Sequence, residues 1–139
     1  MSAAPLWIGI DIPSMPSAAR DIFLNREAIA IDQDPLGIMA TQRQVNGGSA
    51  PGECWARPLQ PAASGKWRAA ALLFNPDDSR SVSVSVSAAA LGVPPSVVRG
   101  GGSVRVRDVW TNASSTLGGA LTSRTLAPHD GVLLLLEEL

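Results

Sequence analysis

Past Met39 the chain takes up a hydrophobic period of two. Arg80 to Ser87 alternates without a break, with Val82, Val84 and Val86 set against Ser81, Ser83 and Ser85. Only an extended backbone places every second side chain on one face, so this segment predicts a half-buried antiparallel strand. Ser103 to Trp110 repeats the pattern, with Val104 and Val106 against Arg105 and Arg107. Trp55, Arg57 and Leu59 share one face, and Cys54, Ala56 and Pro58 the other. Lys66 to Asn75 is an apolar strand ended by the turn Asn75-Pro76-Asp77-Asp78. Leu121 to Leu126 and Gly131 to Leu136 are the last two strands. Clusters of Gly, Pro and Asn at 46–52, 92–102 and 117–119 separate them. About seven or eight short strands with regular turn signals predict a mainly β fold, an antiparallel, Greek-key-like β-sandwich. Its two layers should face each other across Val82, Val84, Val86, Val104, Val106, Val132, Leu134 and Leu136, with most serines and arginines outward.

Before Met39 the pattern differs. Ala3 to Ile10 is a nearly continuous apolar run ending at Asp11. Such a run predicts a strand buried on both faces, as in a parallel sheet covered by helices, and Trp7 inside it reads as core. Parallel strands need neighbours, and no other run of this kind precedes the β-rich part. Pro16 suits a first helical turn, and Ser17 to Leu24 predicts a short helix burying Ile22 and Phe23. Asn25 then caps a second helix, with Glu27 in its first turn and Ala28, Ile29 and Ile31 on an apolar face. Asp34-Pro35 ends it, because a residue before proline is pushed out of the α region. Residues 1–40 therefore look like the tail of a larger α/β domain, and 41–139 like a domain of their own.

The 139 residues are 45% hydrophobic and 17% charged, a balance that buries a core. A formal net charge of −1 argues against nucleic acid and acidic membranes as partners. The longest aliphatic run, Val132 to Leu136, is far below the ~20 residues that a membrane span needs. The single cysteine, Cys54, excludes an internal disulfide framework and reads as a small apolar strand residue. No cluster of His, Cys and carboxylates has metal spacing.

Ala30-Ile31-Asp32-Gln33-Asp34-Pro35-Leu36-Gly37 resembles a signature of the melibiase-type α-galactosidases, glycoside hydrolase family twenty-seven. Further segments are similar to that family in order: Ala3 to Leu6 followed by Asp11, Glu53 to Leu59, Ala71 to Asn75, Val106 to Trp110, and Ala127 to Leu134. The resemblance implies that residues 1–40 are the last strand, helix and linker of a (β/α)8 catalytic barrel, and 41–139 its C-terminal β-sandwich. It implies a retaining enzyme that removes terminal α-galactosyl residues from oligosaccharides, glycolipids or glycoproteins, needs no cofactor, forms a possible homodimer, and is secreted or lysosomal or vacuolar. The family's two catalytic aspartates lie on earlier barrel strands, and no residue of this chain matches them. An α-N-acetylgalactosaminidase parent and a non-catalytic carbohydrate-binding or structural sandwich are the alternatives.

A retaining glycosidase needs two carboxyls about 5–5.5 Å apart. Twelve carboxylates are available. Asp32 and Asp34, at a helix end, read as capping and turn residues, and Asp77-Asp78 as a hairpin turn. Asp11 alone follows the C-terminal end of a barrel-like strand, where such barrels carry their chemistry. It is the candidate for lining a sugar pocket, and the same place suits hydrogen bonding within its loop. His129-Asp130 lacks a nucleophile elbow. Asn112-Ala113-Ser114 is a glycosylation sequon in a loop.

Overall fold

The computed structural model describes residues 1–46 and 52–139. Among these residues are eight strands: β1 (Thr41–Arg43), β2 (Glu53–Pro58), β3 (Arg68–Phe74), β4 (Ser85–Ser87), β5 (Val104–Asp108), β6 (Ser114–Thr116), β7 (Ala120–Thr122) and β8 (Gly131–Glu138). Two short α-helices precede the strands, α1 (Ser17–Phe23) and α2 (Arg26–Asp32), and a third, α3 (Pro95–Arg99), lies between β4 and β5. Six strands form one antiparallel sheet in the order β1-β2-β3-β8-β5-β6, and β4 pairs with β7 in a second. The β3–β8 ladder runs from Arg68 opposite Glu137 to Phe74 opposite Gly131. The β5–β8 ladder runs from Val104 opposite Glu138 to Asp108 opposite Leu134. The last strand thus lies in the middle of the sheet.

One face of the large sheet supplies Cys54, Ala56, Ala71, Leu73, Val104, Val106, Val132, Leu134 and Leu136 to the main core. Val84, Val86, Leu91, Val97, Leu121 and Leu126 complete it. The expected facing set is therefore buried together, with Val82 at its margin. Removing water from side chains such as Leu73 or Leu136 is worth about 1.5–3 kcal/mol each. The opposite face is covered as well: Ala70 and Leu135 join Leu59, Val109 and Ile31 of α2 in a second cluster. Both faces of β8 are thus buried, and its unbroken run Val132 to Leu136 follows from that.

The period of two over Arg80–Ser87 survives in burial but not in pairing. Only Ser85–Ser87 enters a regular ladder, and Val82 makes a single bridge to Leu126. Between them the Val84 N–H donates to the Ser123 hydroxyl at 2.9 Å, where a ladder would use a carbonyl. The Ser123 N–H donates in turn to the Val84 carbonyl at 2.8 Å, so a side chain and one backbone bond share the pairing across the gap.

Three expectations are corrected. Ala3 to Ile10 forms no strand; Leu6, Trp7, Ile8 and Ile10 are exposed, Trp7 at 88%. A strand of a parallel sheet is made by its neighbours, and the chain provides none here. Ile22 and Phe23 are exposed although α1 forms where expected. The strand expected to reach Trp110 ends at Asp108, and Trp110 stands in a turn with 45% of its surface free. The strands β1 and β6 and helix α3, inside the Pro/Gly stretch at 92–102, were not expected. The cluster at 46–52 falls mostly outside the described residues. Among the described residues no helix is long and apolar enough to cross a membrane.

Candidate functional site

The stretch Asn25 to Gly37 is built as a joint between the N-terminal helices and the sheet. The Asn25 Oδ1 accepts the N–H groups of Glu27 at 3.1 Å and Ala28 at 3.0 Å, capping α2. Its Nδ2 donates to the Val109 carbonyl at 2.9 Å. One side chain starts the helix and fastens it to the loop after β5. Glu27 pairs with Arg107 of β5. Ile31 fills the space over Leu59, Ala70, Val109 and Leu135. Asp34 is buried and accepts the Gln60 N–H with both oxygens, at 3.0 and 2.9 Å, and the Leu36 N–H at 3.1 Å. Gly37 turns the chain at φ 60°, a left-handed conformation that suits glycine.

A groove of about 570 Å³ runs between α2 and the sheet, lined by Arg26, Glu27, Asp34, Arg68, Arg107 and Glu137 among others. Its acids are engaged. Glu137 takes Arg68 at 3.2 Å and Arg105 at 2.6 Å. Burial pushes the Glu137 carboxyl up, but the hydrogen bond from Arg105 and the charges of Arg105, Arg68 and Arg107 outweigh it and hold it below its ordinary range. Glu137 thus bridges β3 and β5 across β8 within one sheet, and the Glu27–Arg107 pair ties α2 onto it.

Beside the joint, Arg57 is 1% exposed, and none of its three guanidinium nitrogens has a hydrogen-bond partner among the described residues. The Met1 amino group feels it. Burial lowers the pKa of that amine, Asp32 raises it, and Arg57 lowers it again. Alternation placed Arg57 on this face, but nothing in the sequence marks it as buried.

Asp11 is exposed, and its Oδ2 accepts the Ser14 hydroxyl at 2.7 Å, a bond within its own loop. Asp77 shapes the turn before Arg80. The Ser79 N–H, the Arg80 side chain and the Arg80 N–H hold its carboxyl well below the ordinary carboxylate range. His129 meets Asp78 at 3.0 Å, whereas Asp130 pairs with Arg124 at 2.6 Å, so the two neighbours serve different contacts. Cys54 lies in the main core, where burial pushes its thiol up to about 11 against a smaller pull from Arg43. At neutral pH it is a thiol rather than a thiolate. Among the described residues no three of His, Cys, Asp and Glu converge on a metal position.

Asn75, a turn residue by sequence, is a buried hub. Its Nδ2 donates to the carbonyls of Arg80 at 2.8 Å, Leu126 at 3.1 Å and Ala127 at 2.9 Å, and its Oδ1 accepts the Asp77 N–H at 3.0 Å.

The model of the α-galactosidase C-terminal β-sandwich domain matches residues 49–136. The chain belongs to this family. It is 33% identical over 130 residues to an α-galactosidase of Oryza sativa, covering 94% of the chain and 28% of that protein. It is 35% identical over 109 residues to an α-N-acetylgalactosaminidase of Gallus gallus, covering 78% of the chain and 24% of that protein. The chain thus spans less than a third of either relative. Among solved structures, α-galactosidase I from Mortierella vinacea superposes with a TM-score of 0.76 at 23% identity, covering 96% of the chain and 32% of that structure. That likeness is one of fold. It extends over almost the whole chain, so the helices before the melibiase-type sandwich share in it.

Proposed function

We propose that this chain is the C-terminal part of an α-galactosidase-like retaining glycosidase, and that its own part in the enzyme is to anchor. In this reading an upstream (β/α)8 barrel holds two aspartates and cleaves terminal α-galactosyl residues through an oxocarbenium-like transition state. Residues 1–40 close that barrel, Asp11 stands at its rim beside the sugar, and the sandwich clamps the last helix in place. The observation that carries the proposal is the joint itself. Asn25, Glu27, Ile31 and Asp34 of the stretch Asn25 to Gly37 all engage the sheet or the loops that leave it, through Val109, Arg107, Leu135 and Gln60. The relatives named as α-galactosidases support the sugar.

The same reading makes the isolated chain inactive. Pure protein incubated with an aryl α-galactoside, beside an Asp11→Asn control, is expected to give no turnover above buffer. Turnover that vanishes in the control would overturn the assignment. The chicken relative favours α-N-acetylgalactosaminides as a second substrate class. The two sugars are separated by assaying the full-length enzyme on both aryl glycosides.

A further inference from the structure

We propose that Asn112 accepts an N-linked glycan when the chain is exported into a compartment that holds the transferase. Asn112-Ala113-Ser114 is the only Asn-x-Ser/Thr in the sequence, and its middle residue is not proline. It lies where β5 turns into β6. The turn is held by other groups: the Asp108 carboxylate accepts the N–H of Trp110 at 2.8 Å and of Thr111 at 3.0 Å. The Asn112 N–H donates to the Asp108 carbonyl at 2.9 Å, and the Asp108 N–H to the Ala113 carbonyl at 2.9 Å. Asn112 itself sits at φ 60°, which asparagine tolerates. Residues 110–116 are all exposed. A glycan therefore costs no contact that the fold uses.

The position also gives the glycan work to do. β6 is an edge strand of the large sheet, three residues long, and its outer edge is a template for pairing with other chains. Beside it, a gap of about 220 Å³ between the sheets is bordered by Ala113 and Ser114 and reaches Val106, Leu121, Val132 and Leu134. Trp110 is exposed in the same turn. A bulky hydrophilic glycan at Asn112 screens all three features. The donor is a lipid-linked oligosaccharyl diphosphate. The Asn112 Nδ2 forms a bond to the anomeric carbon, the bond from that carbon to the diphosphate oxygen breaks, the Nδ2 proton passes to a base of the transferase, and the lipid diphosphate leaves.

The test is translation of the full chain behind a secretion leader with microsomes. The protease-protected product is then treated with an amidase that releases N-linked glycans. One glycan is expected, absent in Asn112→Gln and Ser114→Ala and retained in Ser115→Ala. Transfer precedes folding, so poorly folding variants still report. A protected chain without glycan, or a glycan that survives Asn112→Gln, overturns the proposal. Screening is read separately, by light scattering of the secreted protein on heating. Asn112→Gln is expected to aggregate at the lower temperature, and equal onsets overturn the screening role.

Discussion

Arg57 carries a charge into the layer between the sheet and the N-terminal segment and finds no acceptor among the described residues. A guanidinium buried without partners costs several kcal/mol. Its aliphatic stem nonetheless fills space, so the informative replacement keeps the volume. Arg57→Met is expected to raise the melting temperature of this chain by several degrees, in the range of about 1–4 kcal/mol seen when buried charges give way to apolar groups. A lower melting temperature would show that the guanidinium holds an acceptor in solution. Glu137 makes the opposite kind of contribution. Its folded pKa lies below the ordinary 4.5, so the stabilisation is fully present above that value and disappears as the pH falls through the folded one. Melting followed from pH 7 downwards should fall off below about pH 4.5. Glu137→Gln should flatten that limb, and an unchanged slope would assign the acid limb to other carboxylates such as Asp77 and Asp130.

At the scale of elements, α2 is both started and tied down by Asn25. Asn25→Ala removes the cap and the bond to Val109, a loss of roughly 2 kcal/mol. Asn25→Asp keeps the cap and loses only the donor, so it should fall between the two. If Asp equals wild type in thermal denaturation, the tie to Val109 is worth nothing. Elements of this kind were legible because their signals are local: the Asn cap, the Asp-Pro stop, the alternation of Val82 to Val86. β1 and β6 were not legible, since three-residue edge strands such as Ser114–Thr116 carry no period and exist through their partners. Ala3 to Ile10 failed for the complementary reason, reading as a strand whose partners the chain does not hold. The joint was half legible. Asn25 and Asp34 showed as cap and turn, but their second bonds, to Val109 and Gln60, cross many residues and leave no mark in sequence. Asn75 hid its hub role in the same way.

For the molecule as a whole, two clusters share one sheet. Among the described residues the buried members of the main core begin at Cys54, and Val45 packs against them. A chain beginning at Met39 is therefore expected to be soluble and to unfold in one transition. It should melt well below the full chain, because Leu59, Val109 and Leu135 lose the cover of Ile31, with about 1.5–3 kcal/mol at stake for each large apolar side chain uncovered. A shortened chain that does not fold would make the first 40 residues integral to the sandwich. The central place of β8 has a consequence for synthesis. A ribosome that has made residues 1–130 has produced β1-β2-β3 and β5-β6 as two separate pieces of sheet, each with its inner edge unpaired. Neither can close on the other until Gly131–Glu138 has emerged. The two pieces must therefore wait, edges open, until that strand has left the ribosome, and a chain cut before Gly131 lacks the one strand that pairs with both β3 and β5.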